Sequence, residues 1–398
     1  MALSSKASKT QTTIFRALTL QILILYCPKQ PSAALSAAPK PFKRLYAFGD
    51  SITDTGNTNS TTGPIFFTHV SNPPYGRTFF HRPTNRYSDG RIVIDFVAGA
   101  LSLPLLPPYL DSAADRSHGV NFAVAGCTAI NHRFYVRNNI TLNITPQSLG
   151  TQWGWFNRHL KTLGCPKDKD TPNNNGEFCR AVFEDSLFWL GPIGVNDYSY
   201  IFGSSVTSHT IQRLSISSIS SFLQALLNKG AKYVVVQGLP MLGCTSFNLY
   251  LADPGNRDGT GCVATVNHQS AAHNAALRSL LDGLSKHYPN ATLAYADYYG
   301  AYGAILTHRQ SYGIAEPFKA CCGSGGGELN FDLFNTCGSP AVAAASSCPD
   351  PSRYINWDGG HLTEAMYRAV ADKLVNGTFC DPPFSYLVKK KMSSSSSA

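Results

Sequence analysis

The most conspicuous shortage in this 398-residue sequence is charge. Asp, Glu, Lys and Arg together make up only 14% of the residues, against about 25% in a typical soluble chain. Hydrophobic residues reach 43%, which is enough to bury a large core and excludes a globally disordered chain. Ser, Thr, Asn, Gly and Pro carry the polar character, a composition that suits a loop-rich, glycosylated surface. The length fits two or three domains or one large α/β domain.

Several patterns that would indicate other classes of protein are missing. No two cysteines have C-x2-C spacing and no paired histidines follow, which excludes a typical structural zinc site. No Ser lies in a G-x-S-x-G motif, so the nucleophile turn of the α/β-hydrolase fold is not supported. No repeat of 20–50 residues indicates a solenoid or propeller. The glycine cluster at residues 323–327 lacks the Lys-Ser/Thr ending of a phosphate-binding loop, and we interpret it as an ordinary loop.

The N-terminus has the organisation of a cleaved secretory signal. A basic segment (residues 6–16) precedes the apolar run ALTLQILILY (residues 17–26), and a small-residue segment ends at Ala34. This run is too short to cross a bilayer, which needs about 20 residues, so we favour cleavage near Ala34 over a transmembrane anchor. The predicted parts of the chain are a signal peptide (residues 1–34), a single domain (residues 35–384) and a disordered basic and Ser-rich tail (residues 385–398).

The formal net charge of +9 does not indicate a nucleic-acid partner. Four basic residues belong to the predicted signal peptide, and three more are consecutive lysines in the tail, at positions 389–391. The remaining domain shows no cluster of basic residues of the kind that nucleic-acid binding requires. We therefore expect no nucleic-acid partner and no stable membrane anchor, and we interpret the lysine tail as a solvated end.

The cysteines and the glycosylation sequons both agree with export. Of the 11 cysteines, Cys27 leaves with the signal peptide, and an even number remains, which indicates disulfides in an exported chain. The connectivity stays open, but the local candidates are Cys165–Cys179, Cys244–Cys262 and Cys337–Cys348. The predicted N-glycosylation sites are Asn59, Asn139, Asn143, Asn290 and Asn376.

Short apolar runs alternate with helical periodicity along the predicted domain. The runs that are typical of buried strands are RLYAF (44–48), LFWL (187–190), YVVVQ (233–237) and TLAYA (292–296). Apolar residues at helical spacing lie within residues 149–163, 211–226 and 268–287. This alternation predicts a parallel sheet covered by helices on both faces. The Gly/Pro/Asn-rich intervals 57–87 and 323–350 are expected to be loops above that sheet.

A candidate nucleophile follows the first predicted strand. Ser51 comes directly after Gly49 and Asp50, at the edge of a parallel sheet where ligands bind. A helix that began there would favour negative charge beside the Ser oxygen. The alternative is that Ser51 only caps such a helix.

An Asp and a His three residues apart lie near the other end of the chain, in WDGGHLTE. The carboxylate of Asp358 can reach Nδ1 of His361, which would fix the tautomer and leave Nε2 free as a general base. The alternative is a surface His before a helix, which we predict from Thr363 to Leu374.

Two further segments can supply hydrogen-bond donors to an oxyanion. Gly126 lies in the small-residue sequence GVNFAVAGC, where a backbone N–H can approach a substrate. Asn196 lies in GPIGVND, after the LFWL strand, and can present its side-chain amide at the same edge of the sheet. The alternative for both is ordinary turn chemistry, in which Gly and Asn are common.

The motifs GDSI, NFAVAG, GVND and DGGH, in this order, resemble those of the plant GDSL esterase/lipase family within the SGNH hydrolases. The sequences SDGR, CCGSGG and WDGGHLTEAMYR also match, so the resemblance extends from Arg44 to Cys380. It implies a three-layer α/β/α (flavodoxin-like) fold with a mostly parallel sheet. It also implies a secreted, extracellular serine esterase that uses neither a cofactor nor a metal.

The resemblance also implies roles for individual residues. Ser51 would be the nucleophile, His361 the base and Asp358 the group that orients it. The backbone N–H groups of Ser51 and Gly126 and the side chain of Asn196 would form the oxyanion hole. The remaining histidines, such as His69, His81, His268 and His273, are interpreted as structural.

Three residues depart from the family pattern. Ile52 replaces the Leu of the motif, Cys127 stands where Ala is frequent, and Gly360 stands where an aliphatic residue is common. The last two bear on substrate rather than on chemistry. The expected substrates are esters with small or polar acyl groups, or lipids. An acyltransferase with the same site residues is the alternative, and a non-catalytic wall glycoprotein would be expected to have lost part of the triad.

Overall fold

The computed structural model describes residues 40–58, 67–141, 144–165, 176–340 and 347–396. Residues 40–398 form one compact unit. The predicted signal peptide and the sequons at Asn59 and Asn143 lie outside the described residues. In the described ranges, no helix is both long enough and apolar enough to cross a membrane.

A mostly parallel sheet organises the fold. In the described part of the chain, the strands are β1 (Arg44–Phe48), β2 (Gly119–Asn121), β3 (Ser186–Leu190), β4 (Tyr233–Gln237), β5 (Thr292–Ala296), β6 (Glu316–Ala320), β7 (Tyr354–Asn356) and β8 (Cys380–Asp381). The main sheet has the order β2-β1-β3-β4-β5-β8, in which only β8 is antiparallel to its neighbour. β6 and β7 form a separate parallel pair. The four predicted strands are confirmed as β1, β3, β4 and β5.

Helices follow or separate the strands, as the periodicity predicts. Among the described residues they are α1 (Val93–Ala100), α2 (His132–Arg137), α3 (Leu149–Thr162), α4 (Gly176–Glu184), α5 (Val195–Tyr200), α6 (Ser208–Asn228), α7 (Ser246–Leu251), α8 (Ala264–His287), α9 (Tyr298–Thr307), α10 (Glu364–Val375) and α11 (Phe384–Ser396). The helices predicted from periodicity are confirmed as α3, α6, α8 and α10. α10 begins where predicted, because the Thr363 hydroxyl accepts a hydrogen bond from the backbone N–H of Met366.

The helices cover both faces of the sheet and create two cores. Residues that alternate along β1 face opposite sides. Leu45 and Ala47 pack in a core with α1, α9, α10 and α11, whereas Tyr46 and Phe48 pack in a second core with α3, α4, α6 and α8. β3 and β4 are buried at every position, as expected of parallel strands covered on both faces. The three-layer α/β/α architecture is therefore confirmed.

The disulfides agree only in part with the sequence prediction. They are Cys165–Cys179, Cys244–Cys262, Cys321–Cys348 and Cys322–Cys337. The first two agree with the prediction, but the predicted pair Cys337–Cys348 is wrong. Cys321 and Cys322 follow β6, and adjacent side chains of an extended chain point in opposite directions, so each reaches a different partner. Two of the ten cysteines expected to pair, Cys127 and Cys380, are buried free thiols.

The prediction of a disordered C-terminal tail is also wrong for the residues that the structure describes. α11 extends to Ser396, and Phe384 and Leu387 are buried in the core. Lys391 Nζ lies 2.6 Å from Asp185 Oδ1, and Lys43 Nζ lies 2.7 Å from the other carboxylate oxygen. The three lysines and the serines suggest a low-complexity tail. Positions 384, 387 and 391 nevertheless share one helical face, which packs against the core and forms the ion pair with Asp185.

Candidate active site

The order of the strands brings the predicted site residues to one edge of the sheet. β1 is the central strand of the three, with β2 on one side and β3 on the other, all parallel. Their carboxyl ends therefore meet, and Ser51, Gly126 and Asn196 lie in the segments that follow these three strands in turn. His361 lies in the turn between β7 and α10.

Ser51 and His361 are joined by a hydrogen bond. Nε2 of His361 lies 2.8 Å from Oγ of Ser51, although the two residues are 310 positions apart in the sequence. Each residue is only 5% exposed. On its other side, Nδ1 of His361 lies 2.8 Å from Oδ2 and 3.0 Å from Oδ1 of Asp358. The three side chains thus form a continuous hydrogen-bonded chain that ends at a hydroxyl.

Asp358 is held as a carboxylate by its neighbours. Its Oδ1 accepts hydrogen bonds from the backbone N–H groups of Gly360, at 3.0 Å, and His361, at 2.8 Å. Its Oδ2 accepts the hydroxyl of Tyr75 at 2.8 Å. Burial opposes ionisation, but His361 and these hydrogen bonds outweigh it, so the pKa of Asp358 lies below its ordinary value. Burial and Asp358 both raise the pKa of Tyr75 well above 10, so its hydroxyl remains a donor.

Tyr75 is a site residue that the sequence analysis missed. It lies 283 positions before Asp358, inside one of the long intervals predicted to be loops. Its ring also contacts Tyr87, which in turn lies against the imidazole of His361 with ring centroids 4.5 Å apart. Nothing in local spacing indicates these contacts, because they depend on where the loop is folded back over the sheet.

The turn that carries Asp358 and His361 requires glycine. The backbone N–H of Trp357 donates to the carbonyl of His361 at 2.7 Å, which closes the turn. Gly359 has φ +94°, and a Cβ there would lie 2.3 Å from the ring of Phe331. A side chain at this position is therefore disfavoured both by backbone conformation and by space.

Gly126 is fixed by its own carbonyl group. The oxygen accepts hydrogen bonds from Tyr200 Oη at 2.7 Å and Thr145 Oγ1 at 2.8 Å. Gly126 has φ +74°, and a Cβ would lie 2.5 Å from Cγ2 of Thr145. In the ranges that the structure describes, neither the N–H of Gly126 nor that of Ser51 donates to a protein acceptor. Both N–H groups are thus available to a ligand.

Asn196 is oriented by a contact with the segment that carries Gly126. Its Nδ2 donates one hydrogen to the carbonyl of Cys127 at 2.9 Å, so the amide has a second hydrogen to offer. The next residue, Asp197, accepts the backbone N–H groups of Ala129 and Ile130 at 2.8 and 2.9 Å. Burial raises the pKa of Asp197 to about 6. These contacts hold the start of α5 against the segment after Gly126.

Asp50, although it neighbours Ser51, is placed differently from Asp358. It is fully buried, and its Oδ1 accepts the backbone N–H of Ile52 at 3.0 Å. Burial, together with the nearby Asp197 and Asp54 carboxylates, raises the pKa of Asp50 to about 8. At neutral pH it is therefore a protonated group that shapes the turn of Ser51.

The other histidines do not form a second site among the described residues. His273 is buried, its pKa is lowered to about 4 by burial, and its Nδ1 lies 3.1 Å from the hydroxyl of Tyr198. In the same part of the chain, no group of three or more His, Cys, Asp and Glu residues is arranged to hold a metal ion.

The fold and this arrangement of Ser, His and Asp at the strand ends define the class of SGNH-type serine hydrolases. The family described as GDSL-like lipase/acylhydrolase matches residues 45–374. A GDSL esterase/lipase of Arabidopsis thaliana is 50% identical over 98% of this chain and 99% of its own length. A second one from the same plant is 38% identical over 87% of this chain and 88% of its own length.

The chain belongs to the GDSL-like lipase/acylhydrolase family and is a carboxylic ester hydrolase. The resemblance inferred from the motifs is thus confirmed. Among solved structures, a catalytic mutant of an acetylxylan esterase from Geobacillus stearothermophilus is similar at 11% identity, with a TM-score of 0.36 over 84% of this chain and 93% of that chain.

Proposed function

We propose that this protein hydrolyses carboxylic esters through an acyl-enzyme on Ser51. The observation that carries the proposal is the hydrogen-bonded chain from Ser51 Oγ to His361 Nε2 and from His361 Nδ1 to Asp358, with distances of 2.8 Å at both links. A base in contact with the hydroxyl and a carboxylate that orients the base are what activation of a serine nucleophile requires.

In the first half of the reaction, Ser51 is acylated. Oγ attacks the ester carbonyl carbon while Nε2 of His361 takes its proton. The oxygen of the tetrahedral intermediate accepts hydrogen bonds from the N–H groups of Ser51 and Gly126 and from the second N–H of Asn196. His361, now protonated and paired with the Asp358 carboxylate, donates its proton to the leaving alcohol, and the carbon–oxygen bond of the ester breaks.

In the second half, water removes the acyl group. His361 takes a proton from the water as its oxygen attacks the acyl carbon, and the same donors stabilise the second oxyanion. The intermediate collapses, Ser51 Oγ leaves with the proton held by His361, and the free acid departs. Each donor of this kind contributes on the order of 100- to 1,000-fold in rate.

Covalent labelling tests the role of Ser51. A fluorophosphonate probe should label the purified protein, and Ser51→Ala should abolish both labelling and hydrolysis of p-nitrophenyl acetate. Ser311→Ala is the control, because Ser311 is an exposed residue in a short 3-10 helix after α9. Equal labelling of the wild type and Ser51→Ala would refute the assignment.

We propose small or polar esters as the preferred substrates. Among the helices predicted from the sequence, none stands out as a lipase lid with a long apolar face. A series of p-nitrophenyl esters from acetate to palmitate measures this preference. We expect kcat/KM to be highest for short acyl chains. A maximum at the longest chains would contradict the preference and favour a lipid substrate.

The proposal includes export and N-glycosylation. The four disulfides among the described residues support an oxidising compartment. The sequon residues Asn139, Asn290 and Asn376 are exposed, as glycan attachment requires. Expression of the full chain in plant cells should yield protein in the medium, cleaved near Ala34, whose apparent mass falls on treatment with peptide N-glycosidase. Retention inside the cells with an intact N-terminus would contradict this part of the proposal.

A further inference from the structure

We propose that Gln152 is a positioning residue that ties the turn of the nucleophile to the oxyanion donors. The inference rests on the proposed function, since it concerns how Ser51, Gly126 and Asn196 are held relative to one another. Gln152 lies on α3 and is completely buried. Neither its spacing nor its type marks it in the sequence as part of the site.

The side-chain amide of Gln152 forms a reciprocal pair of hydrogen bonds with Gly49. The backbone N–H of Gly49 donates to Oε1 at 3.0 Å, and Nε2 donates to the carbonyl of Gly49 at 2.6 Å. Gly49 lies just beyond the end of β1 and two residues before Ser51. The side-chain amide of Gln152 thus pairs with the backbone of Gly49 as the backbone of a neighbouring strand would, just beyond the end of β1.

The same amide also reaches the segment that carries Gly126. Nε2 of Gln152 lies 2.9 Å from Sγ of Cys127, the residue directly after Gly126. The carbonyl of Cys127 is in turn the acceptor that orients Asn196. A continuous series of hydrogen bonds therefore links Gly49, Gln152, Cys127 and Asn196.

This connection is physically important because the groups are buried. A polar group without a partner in the protein interior is costly, so Gly49 and Gln152 strongly favour the one geometry in which both are satisfied. Oxyanion donors act only when they are held in place before the reaction, and a small misplacement lowers the rate. Gln152 hydrogen-bonds both to Gly49, two residues before Ser51, and to Cys127, the residue directly after Gly126.

The thiol contact gives a role to Cys127, which departs from the family pattern. A sulfur acceptor takes the second hydrogen of the Gln152 amide, and burial keeps this sulfur in the thiol form by raising the pKa of Cys127 well above 9. An Ala at this position would leave that hydrogen without the sulfur acceptor. Cys127→Ala should therefore lower kcat slightly, in the same direction as changes at Gln152.

The chain contains a matched control for Gln152. Asn274, on α8, forms the same reciprocal pair with the backbone of Leu239, with distances of 2.8 and 2.9 Å. Asn274 is 5% exposed, and Leu239 follows the end of β4, which is not one of the three strands that carry the site. Replacing the amide of Asn274 therefore removes a similar pair of buried hydrogen bonds, but at a position that does not contact the oxyanion donors.

The experiment compares Gln152→Met with Asn274→Leu, two changes that keep size and remove hydrogen bonding. The measurements are kcat and KM for p-nitrophenyl acetate, thermal melting, and the Ki of a trifluoromethyl ketone, whose adduct with Ser51 places an oxyanion in the site. We expect Gln152→Met to lower kcat about 10- to 100-fold and to raise Ki in parallel, with KM changed less than about twofold. Asn274→Leu should lower the melting temperature similarly and keep kcat within about twofold.

Several outcomes would overturn the inference: kcat of Gln152→Met within twofold of wild type, an unchanged Ki, or an equal loss of kcat in Asn274→Leu. Where Gln152→Met does not fold, Gln152→Glu replaces it, because a protonated Glu keeps both contacts with Gly49. Its kcat relative to wild type should then fall as pH rises from 5 to 9, and a constant ratio would refute the proposal. Failure of the function itself is distinguishable, since Ser51→Ala would then still be labelled by the fluorophosphonate.

Discussion

Tyr75→Phe separates the hydrogen bond to Asp358 from all other contacts of this side chain. The change removes one oxygen and keeps the ring, which packs on Tyr87 and Trp357 with centroids 6.1 and 6.0 Å apart. The oxygen that is lost donates at 2.8 Å to Oδ2 of Asp358, the same oxygen that lies 2.8 Å from Nδ1 of His361. The variant therefore changes the carboxylate and leaves the packing intact.

The magnitude follows from the burial of the pair. A hydrogen bond to a charged group contributes about 1.5–3 kcal/mol, and one pKa unit corresponds to about 1.4 kcal/mol. The pKa of Asp358, now below its ordinary value, should therefore rise in the variant, because the carboxylate loses one hydrogen-bond donor. A carboxylate with fewer donors attracts the protonated imidazole more strongly. The acid limb of the pH profile of kcat/KM should therefore move to higher pH.

The plateau rate should fall as well, because His361 is oriented less firmly. We expect a loss of about 10-fold in kcat, well below the loss of about 10,000-fold that follows when the carboxylate of such a triad is removed. The stability effect has a defined sign. A carboxyl with a lowered pKa stabilises the fold above its unfolded pKa of about 4, and this contribution is lost as pH falls. The difference in unfolding free energy between wild type and variant should therefore be larger at pH 7 than at pH 3.

The assay is kcat/KM for p-nitrophenyl acetate between pH 4 and 9, with Tyr302→Phe as the matched control. Tyr302 is 1% exposed, and its hydroxyl has no hydrogen-bond partner among the described residues. The control should keep the wild-type profile. An unmoved acid limb in Tyr75→Phe, or the same shift in the control, would refute the reasoning.

Three other predictions concern the oxyanion segment, the turn of Ser51 and the C-terminal helix. Gly126→Ala should lower kcat at least 100-fold, because its Cβ collides with Thr145 and displaces the N–H donor; wild-type kcat would contradict its role. Asp50 has a pKa raised to about 8, so its stabilising contribution is present below about pH 4 and lost as pH rises through 8. Urea unfolding should show a smaller loss of stability between pH 6 and 9 in Asp50→Asn, and an equal loss would exclude this cause. Leu387→Ala should cost about 2–5 kcal/mol in urea unfolding, whereas Lys389→Ala should change little; equal effects would show that α11 is not docked.

Much of the fold was predictable because its causes are local. Strand β4 reads YVVVQ, and its three consecutive β-branched residues favour a buried strand. Helix α10 begins directly after Thr363, because a Thr before a helical pattern caps it whatever lies elsewhere in the chain. The chemistry of the site was predictable for a related reason. Asp358 and His361 are three residues apart, so one short turn brings them together.

The remaining features depend on contacts between distant segments. Cys337 and Cys348 are close in sequence, yet each bonds to one of the two adjacent cysteines that directly follow β6. The tail lysines resemble a frayed end, but Lys391 meets Asp185, 206 positions away. The sequence pattern of one segment does not show which distant residue that segment will contact, and in both cases this contact decides the structure.

The layered α/β fold, the family and the candidate catalytic residues Ser51, Asp358 and His361 can all be predicted from the sequence alone. The residues that support that site can be found only in the folded structure. Tyr75 comes from a loop 283 positions before Asp358, and Gln152 comes from a helix 103 positions after Gly49. Both donate buried hydrogen bonds to groups at the site, and such bonds have no signature in local spacing because only the packing of the whole chain brings donor and acceptor together.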